Sequence, residues 1–540
     1  MRDGNATGQR PLRAEQAAKW LAVLAAGLTV ALAVRYSTFV PWGTDPASYI
    51  ESAHRWADGS VQAPSPLPLC AAWTRAGFVV APYGFRAGVV SGTDVSQYPL
   101  GYPVLMAAAI RVGGDLAPYL VAPLCAGLLV WCTYLLGTRA GGPVAGLFAA
   151  SVIGWSPVTL VFSMQPMSDV PSAAMWALAW VMSLRPGFGA AAAAGSAAAA
   201  AIMVRPNLVP LAGVLAVVVL LAGGRSAATS RATWLRVVVF GSLAAMGLGL
   251  VAWSQAILYG SPLTPGYLGW EDQYRAEHIR SNLTRYPSFL ALAHTPVMFA
   301  GLSVPILVCW RRARATFDRD ALAVVVSATA IIVLTYALYL PYVPFESPEF
   351  LRYMLPAIVG LSVLLACLLV RVARSLQRKS RALGALALVP AAVVLLYPAR
   401  FATLEFGIHK TQARVLLMGQ YLREALPRRS VVLTSMQGGA IAHYTRAPVV
   451  RLDLVPPGTL EDILVDLERL GYGPVLIVDG AWELALLAPH LAGSRLDKPD
   501  WPPRAEFWDS VPFLYFELSD RNRFKQDSRW STDVVRIAHP

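Results

Sequence analysis

The chain has 540 residues, of which 56% are hydrophobic and only 14% charged, against roughly 25% charged in an average soluble domain. With a mean hydropathy of +0.50, this excludes a water-soluble single-domain enzyme, a disordered chain and a disulfide scaffold. The net charge of +13 would suggest nucleic acid in a soluble protein. Here the positive-inside rule accounts for it, because Lys and Arg collect in cytoplasmic loops. The Ala, Arg and Gly bias reads as a GC-rich bacterial genome.

About eleven apolar runs recur, centred on 20–34, 116–137, 143–163, 167–184, 187–204, 206–223, 237–257, 293–310, 321–340, 353–370 and 382–398. Each is long enough, or nearly so, to cross a bilayer as a helix. Ala31-Leu32-Ala33 resembles a signal-cleavage site, but the first run is read as a retained helix. Arg2, Arg10, Arg13 and Lys19 precede that run, and every second short connection is basic: Arg139, Arg185, Arg225/Arg231/Arg236, Arg311/Arg312/Arg314/Arg319, and Arg371/Arg374/Arg378/Lys379/Arg381. This alternation predicts a cytoplasmic N-terminus and a C-terminus on the outer side. Four of the five cysteines lie in apolar runs. Cys70 lies in a polar loop, with no partner and no CxxC spacing evident.

Three long segments then fall outside: 35–115, 258–292 and 399–540. In the first, Gly43-Thr44-Asp45-Pro46 leads into an amphipathic stretch, Ala47 to Trp56. The apolar run to Ile110 is too short to span and reads as an interfacial helix. The second is rich in Tyr, Pro and charges. The third alternates helices with strands at Val431–Leu433, Pro448–Val450 and Val475–Val478, which predicts a small α/β domain with a partly parallel sheet. Thr459 is the expected cap of a helix over 460–470. Ser435-Met436-Gln437-Gly438-Gly439 is not a GxGxxG fingerprint and reads as a structural turn. The fold class is thus an α-helical polytopic membrane protein, residues 1–398, with an extracytoplasmic α/β domain, 399–540, that shapes acceptor access without catalytic groups of its own.

Asp45 is the most informative residue. It follows the first membrane helix at the outer surface, and Pro46 stands where a helix starts well. Asp45 could cap that helix or act as a general base towards an acceptor hydroxyl. Arg205 and Arg352 are the only basic residues in the short outer connections, against the positive-inside trend. They read either as interfacial anchors or as functional charges. Asp169 reads as a helix N-terminal charge or as a group that orients the acceptor or helps hold a metal.

Asp45-Pro46-Ala47-Ser48-Tyr49 with Ala53 resembles the first outer loop of the GT-C glycosyltransferases, a superfamily that uses polyprenyl-phosphate sugars. Tyr98-Pro99-Leu100-Gly101-Tyr102-Pro103, Ser163 to Asp169, Met203-Val204-Arg205-Pro206 and Leu351-Arg352-Tyr353-Met354-Leu355-Pro356 resemble further segments of that superfamily, in order. The membrane part is similar to the protein O-mannosyltransferases and the bacterial aminoarabinose lipid A transferases. The Asp-Glu pair of the former is absent, since Pro46 follows Asp45. The resemblance implies Asp45 as catalytic base, Arg352 and Arg205 as holders of the donor phosphate, and Asp169, Tyr49, Tyr102 and Tyr353 as supports of the site. It implies a polyprenyl-phosphate sugar donor, a lipid, glycan or protein acceptor, a plasma-membrane location and no nucleic acid. No cofactor is assigned, and a divalent metal stays open. A flippase for lipid-linked saccharides and a non-catalytic scaffold are the competing readings. A transporter would show repeat halves, which the sequence lacks.

Overall fold

Where the chain is apolar it is helical, because a backbone in lipid must satisfy its own hydrogen bonds. The computed structural model describes residues 6–65, 67, 73, 75–222, 230–267, 269–508, 511–527 and 534–538; Cys70 and Arg225 lie outside them. Among the described residues six helices are long and apolar enough to cross a bilayer: Ala14–Arg35, Pro118–Gly141, Arg231–Tyr259, Arg319–Tyr339, Pro348–Gln377 and Arg381–Phe401. Two bent pairs bring the number to eight, Pro143–Gly154 with Pro157–Ser163 (55°) and His278–His294 with Pro296–Cys309 (115°). The other three expected spans are helices of only 15, 17 and 12 residues, Asp169–Ser183, Phe188–Val204 and Pro210–Leu221, below the roughly 20 that a straight crossing takes. Among the described residues all eleven expected runs are thus helical, and six to eight of them have the length of a crossing.

The composition of 258–292 suggests a polar loop, yet its second half is the helix His278–His294. The chain breaks sharply after it because Thr295 holds φ +86 and Pro296 has no N–H to continue the ladder. Asn282 is buried there, and its amide donates to the carbonyls of Leu340 (3.0 Å) and Tyr342 (2.6 Å), fixing the chain that follows Arg319–Tyr339. The alanine-rich helix Phe188–Val204 packs closely on Arg231–Tyr259: a Cβ on Gly195 would come within 2.7 Å of Phe240 O, and one on Gly247 within 2.6 Å of Ala199 O.

Several basic turns meet at one end of the bundle. Arg139 donates to Val181 O at 3.0 Å, Arg371 to Thr316 Oγ1 at 3.0 Å and Arg374 to Gly141 O at 3.3 Å. The other end carries the two sheets. Segment 35–115 folds as the helix Asp45–Ala57, the strands β1 (Gln62–Pro64), β2 (Phe85–Ala87) and β3 (Thr93–Ser96) in antiparallel order β1-β3-β2, and the helix Gly101–Gly113. The sequence pattern does not announce this small sheet, since strands of three or four residues leave no readable alternation.

The C-terminal strands are β4 (Ser430–Thr434), β5 (Val449–Arg451), β6 (Gly473–Asp479), β7 (Ala505–Trp508), β8 (Phe513–Glu517) and β9 (Val535–Ala538), in the order β5-β4-β6-β8-β7-β9. β4 runs parallel to β5 and β6, and β8 is antiparallel to both β6 and β7. The sheet is partly parallel, as expected. Thr459 precedes Leu460–Arg469 but its side chain makes no cap; its hydroxyl donates instead to Pro456 O at 2.8 Å. One core of this part holds Val431, Leu433, Leu464, Leu476 and Phe516 together with Leu67, Trp73, Val79 and Val80 of the first segment. A second core joins Val40 and Ala47 to Met418, Val432, Ile477 and Phe513. Segment 35–115 is thus built into the α/β part.

Candidate active site

The chain reaches Asp45 through Gly43 at φ +61, a backbone state glycine adopts without strain. Pro46 then sets the first turn of Asp45–Ala57. Thr44 at the N-cap makes no side-chain cap. The Asp45 carboxylate is likewise drawn to other partners: the Tyr98 hydroxyl donates to Oδ1 at 2.5 Å, and Thr44 Oγ1 lies 3.4 Å from the same oxygen. Tyr98 is held in an aromatic stack, 4.7 Å from the Tyr49 ring and 5.6 Å from that of Tyr267. Burial, with the Asp45 charge beside it, pushes the Tyr98 phenol well above its ordinary pKa. Its proton therefore stays on the phenol, pointing at Asp45.

Three further residues come from distant turns. Asp169 opens the helix Asp169–Ser183, and its side chain is fully buried. Arg205 follows Phe188–Val204, where Pro206 ends the helix, and its Nη2 donates to Asp169 Oδ1 at 2.5 Å. Arg352 sits in a 3-10 turn, Pro348–Met354, at the head of the helix Leu355–Gln377. Its Nη2 lies 3.6 Å from Asp45 Oδ2 and its Nε 3.8 Å from Asp169 Oδ1. Asp45, Arg352, Asp169 and Arg205 form a row of alternating charge. Both guanidinium groups lie 5.1 Å from the centre of the Tyr353 ring, a cation–π distance. Tyr353 in turn stacks on Tyr339 at 5.0 Å. Arg205 and Arg352 are therefore carried by a polar and aromatic frame rather than extended as interfacial anchors.

These groups surround a cavity of about 710 Å³ whose wall includes Asp45, Tyr49, Ser168, Arg205, Arg352 and Tyr353. Tyr49 donates to Ser168 Oγ at 3.0 Å. Tyr102 lies outside that wall: it is fully buried, edge-on to Tyr49 at 5.0 Å. Asp169 sits directly behind the wall, holding Arg205. Sequence reasoning missed Tyr83, Tyr98, Tyr267, Tyr339, Tyr342 and Arg451 as parts of the wall. Only Tyr98 carried a signal, as the first residue of its proline-glycine segment. Arg451 comes from the end of β5, stands 4.1 Å from the Tyr83 ring centre and pairs with Asp453 at 2.6 Å. Met436 and Leu454 also reach the wall. The α/β part thus lines the cavity, with a charged group among its contributions.

Other polar residues go elsewhere. Asp94 is paired with Arg55 at 2.6 Å and is not in the wall. His54 is half-buried, its ring 6.0 Å from that of His443. Among the described residues no three His, Cys, Asp or Glu side chains group as metal ligands. The two site carboxylates do not fit a divalent cation, since Arg205 grips Asp169 and Arg352 lies beside both.

No protein-family model and no curated protein matches the sequence. Solved structures do. ArnT from Cupriavidus metallidurans in the apo state superposes with a TM-score of 0.55 at 16% identity, covering 92% of this chain and 98% of that one. The same protein bound to undecaprenyl phosphate gives 0.55 and 16%, over 91% and 97%. The Archaeoglobus fulgidus oligosaccharyltransferase AglB, in complex with an inhibitory peptide and a dolichol-phosphate, gives 0.53 at 12% identity, over 92% and 74%. A zinc and sulfate complex of the A. fulgidus oligosaccharyltransferase is similar at 0.54 and 14%, over 92% and 73%. The likeness covers about nine-tenths of the chain, through the helical bundle and the α/β part alike, and the fold of this chain is the one found in ArnT and in the A. fulgidus oligosaccharyltransferase.

Proposed function

We propose that this chain is an integral membrane glycosyltransferase that moves a sugar from a polyprenyl-phosphate donor to a cell-envelope acceptor, with Asp45 as general base. The observation that carries the reading is the convergence of Asp45, Arg352 and Arg205 on one cavity, with Asp169 behind. The first of these is a carboxylate able to take a proton, and the two guanidinium groups match a phosphate bidentately. The described neighbours add support, being bound to undecaprenyl phosphate and to a dolichol-phosphate.

In this mechanism the lipid tail stays in the hydrocarbon and the donor phosphate seats against Arg352 and Arg205. Asp45 takes the proton of the acceptor hydroxyl. The freed oxygen attacks the anomeric carbon, the bond from that carbon to the phosphate oxygen breaks, and the phosphate leaves with both electrons. The two arginines stabilise the charge that grows on it. One base and one charge clamp suffice for a single in-line displacement, which inverts the anomeric centre. Tyr98 keeps Oδ1 of Asp45 oriented and leaves Oδ2 facing Arg352. The cavity opens on the outer face of the plasma membrane, with the N-terminus in the cytoplasm. The sugar is a hexose or pentose, and the acceptor a lipid, glycan or protein.

Transfer of labelled sugar from synthetic polyprenyl-phosphate donors by the purified protein tests this directly. Mass spectrometry of envelope glycans with and without the protein identifies the product. Equal glycan profiles, together with no release of lipid phosphate in vitro, would falsify the reading.

A further inference from the structure

The α/β part does more to the Asp45 helix than cover it. The buried side chain of Gln437, at the turn after β4, accepts a hydrogen bond through Oε1 from the backbone N–H of Gly43 at 3.0 Å. Gly43 is two residues before Asp45 and lies at positive φ. The turn that carries Gln437 is itself pinned. Glu483, fully buried, accepts from Met436 N at 3.1 Å and from Asp479 N at 2.5 Å, tying the ends of β4 and β6 together. Directly after it, Gly439 approaches so closely that a Cβ there would lie 3.1 Å from Tyr83 O and 3.5 Å from Ser48 Oγ. Ser48 Oγ lies 2.7 Å from both Thr44 O and Tyr83 O. One turn further along the Asp45 helix, Glu51 bonds His443 at 3.0 Å and Arg446 at 3.1 Å.

We infer that Gln437 is a positioning residue for Asp45: the C-terminal part sets where the base stands by holding the backbone of Gly43, while the donor-phosphate arginines are placed independently by the helical bundle. This rests on the proposed role of Asp45. The separation of tasks follows from the contacts. Arg205 and Arg352 are held by Asp169, Tyr339 and Tyr353, all from the bundle; their one link to the base is the loose 3.6 Å approach of Arg352 to Asp45, and no formed hydrogen bond ties them to Gln437. A base displaced by about 1 Å can cost on the order of 10²-fold in rate, so one hydrogen bond to the loop ahead of it has leverage on turnover without touching donor affinity.

The test uses the full-length protein in detergent or nanodiscs. Gln437→Met keeps the length and removes the acceptor along with the amide's hydrogen bond to the Asp479 carboxylate; Gln437→Glu keeps an accepting oxygen for Gly43 but also gives up the bond to Asp479. The Met variant should lose roughly 10- to 100-fold in kcat, with donor KM and the binding of undecaprenyl phosphate unchanged, and the Glu variant should retain more activity than the Met variant. Hydrogen exchange of peptides covering 43–49 should quicken in the Met variant while exchange in the bundle stays as in the parent. Parent-like kcat, or unchanged exchange at 43–49, overturns the inference. So does an equal loss of donor binding and thermal stability in the Met variant, which marks a merely structural residue. If Asp45→Asn transfers sugar normally, the reading of Asp45 falls, whereas exchange at 43–49 still decides whether Gln437 holds the loop.

Discussion

Arg352 stops 3.6 Å from Asp45 Oδ2, whereas Arg205 grips Asp169 at 2.5 Å. Charge-assisted bonds of this kind close to about 2.7–2.9 Å when fully made. The first contact is therefore loose, and the second is made. An entering phosphate can take Arg352 from Asp45 without breaking a formed hydrogen bond, and in doing so leaves the carboxylate free for the acceptor proton.

Asp45→Asn keeps the shape of the side chain and its contact with Tyr98 but removes the base. Transfer should fall by about 10²–10⁴-fold with donor binding retained, measured on purified protein of equal thermal stability. If the variant works as fast as the parent, the base lies elsewhere. Asp94 and Asp169 are poor substitutes, since each is already bound to an arginine.

Arg352→Lys keeps the charge and loses the planar fork. Because Arg352 contacts the carboxylates only at 3.6 and 3.8 Å, the variant should fold normally and show a raised donor KM and lowered kcat. A melting curve beside the kinetics separates the two effects.

Arg205 and Asp169 should behave differently. Removing one member of a buried pair strands the other charge, at roughly 3–5 kcal/mol. Asp169→Ala is expected to lower thermal stability sharply, and the double change Asp169→Leu with Arg205→Met to recover part of the loss. Double-mutant melting curves read this coupling; simple additivity of the two single changes argues against a buried pair.

Glu51 gives a pH dependence outside the membrane. Burial alone would raise its pKa, but the His443 hydrogen bond and the Arg55 and Arg446 guanidinium groups outweigh it and hold the carboxyl at about 2, against an ordinary 4.5. A group with a depressed folded pKa adds stability that is fully present above its unfolded value and is lost as pH falls through the folded one. Acid should therefore loosen the contact between Asp45–Ala57 and the helix Gly438–Thr445, starting below about 4.5 and running towards 2. Glu51→Gln should lower stability at neutral pH and flatten this acid limb in pH-resolved melting.

Reporter fusions after residues 60, 230, 315, 376 and 450 should read outside, inside, inside, inside, outside. The basic turns that meet at Val181, Thr316 and Gly141 are the basis of this expectation, since the positive-inside rule assigns such an end to the cytoplasm. A cytoplasmic signal after 450 would put the cavity on the wrong face for a lipid-phosphate donor presented outside.

Much of the site could be read in the sequence because its charges stand out against apolar helices. Arg205 and Arg352 break the positive-inside trend, and Asp45 and Asp169 sit beside helix-starting prolines. Tyr83, Tyr267 and Tyr342 carry no such contrast; they come from irregular turns, where no period marks which residues converge. The three later strands were equally hidden. β7 and β9 are four residues each, and β8, though aromatic, is buried at alternate and adjacent positions alike, so neither period appears. The length of a span was overestimated for Pro210–Leu221, since hydropathy records apolarity and not where a proline restarts the helix.

The cores shared between 40–80 and 415–518 also impose an order of assembly. Val79 and Val80 leave the ribosome ~350 residues before their partner Val431, a delay on the order of 20–70 s at ordinary rates of synthesis. Throughout that interval Leu67, Trp73, Val79 and Val80 face water or whatever shields them. Nascent chains halted anywhere before the last strands would expose a fixed apolar patch, and would be captured by holdase chaperones or degraded rather than released as a folded bundle.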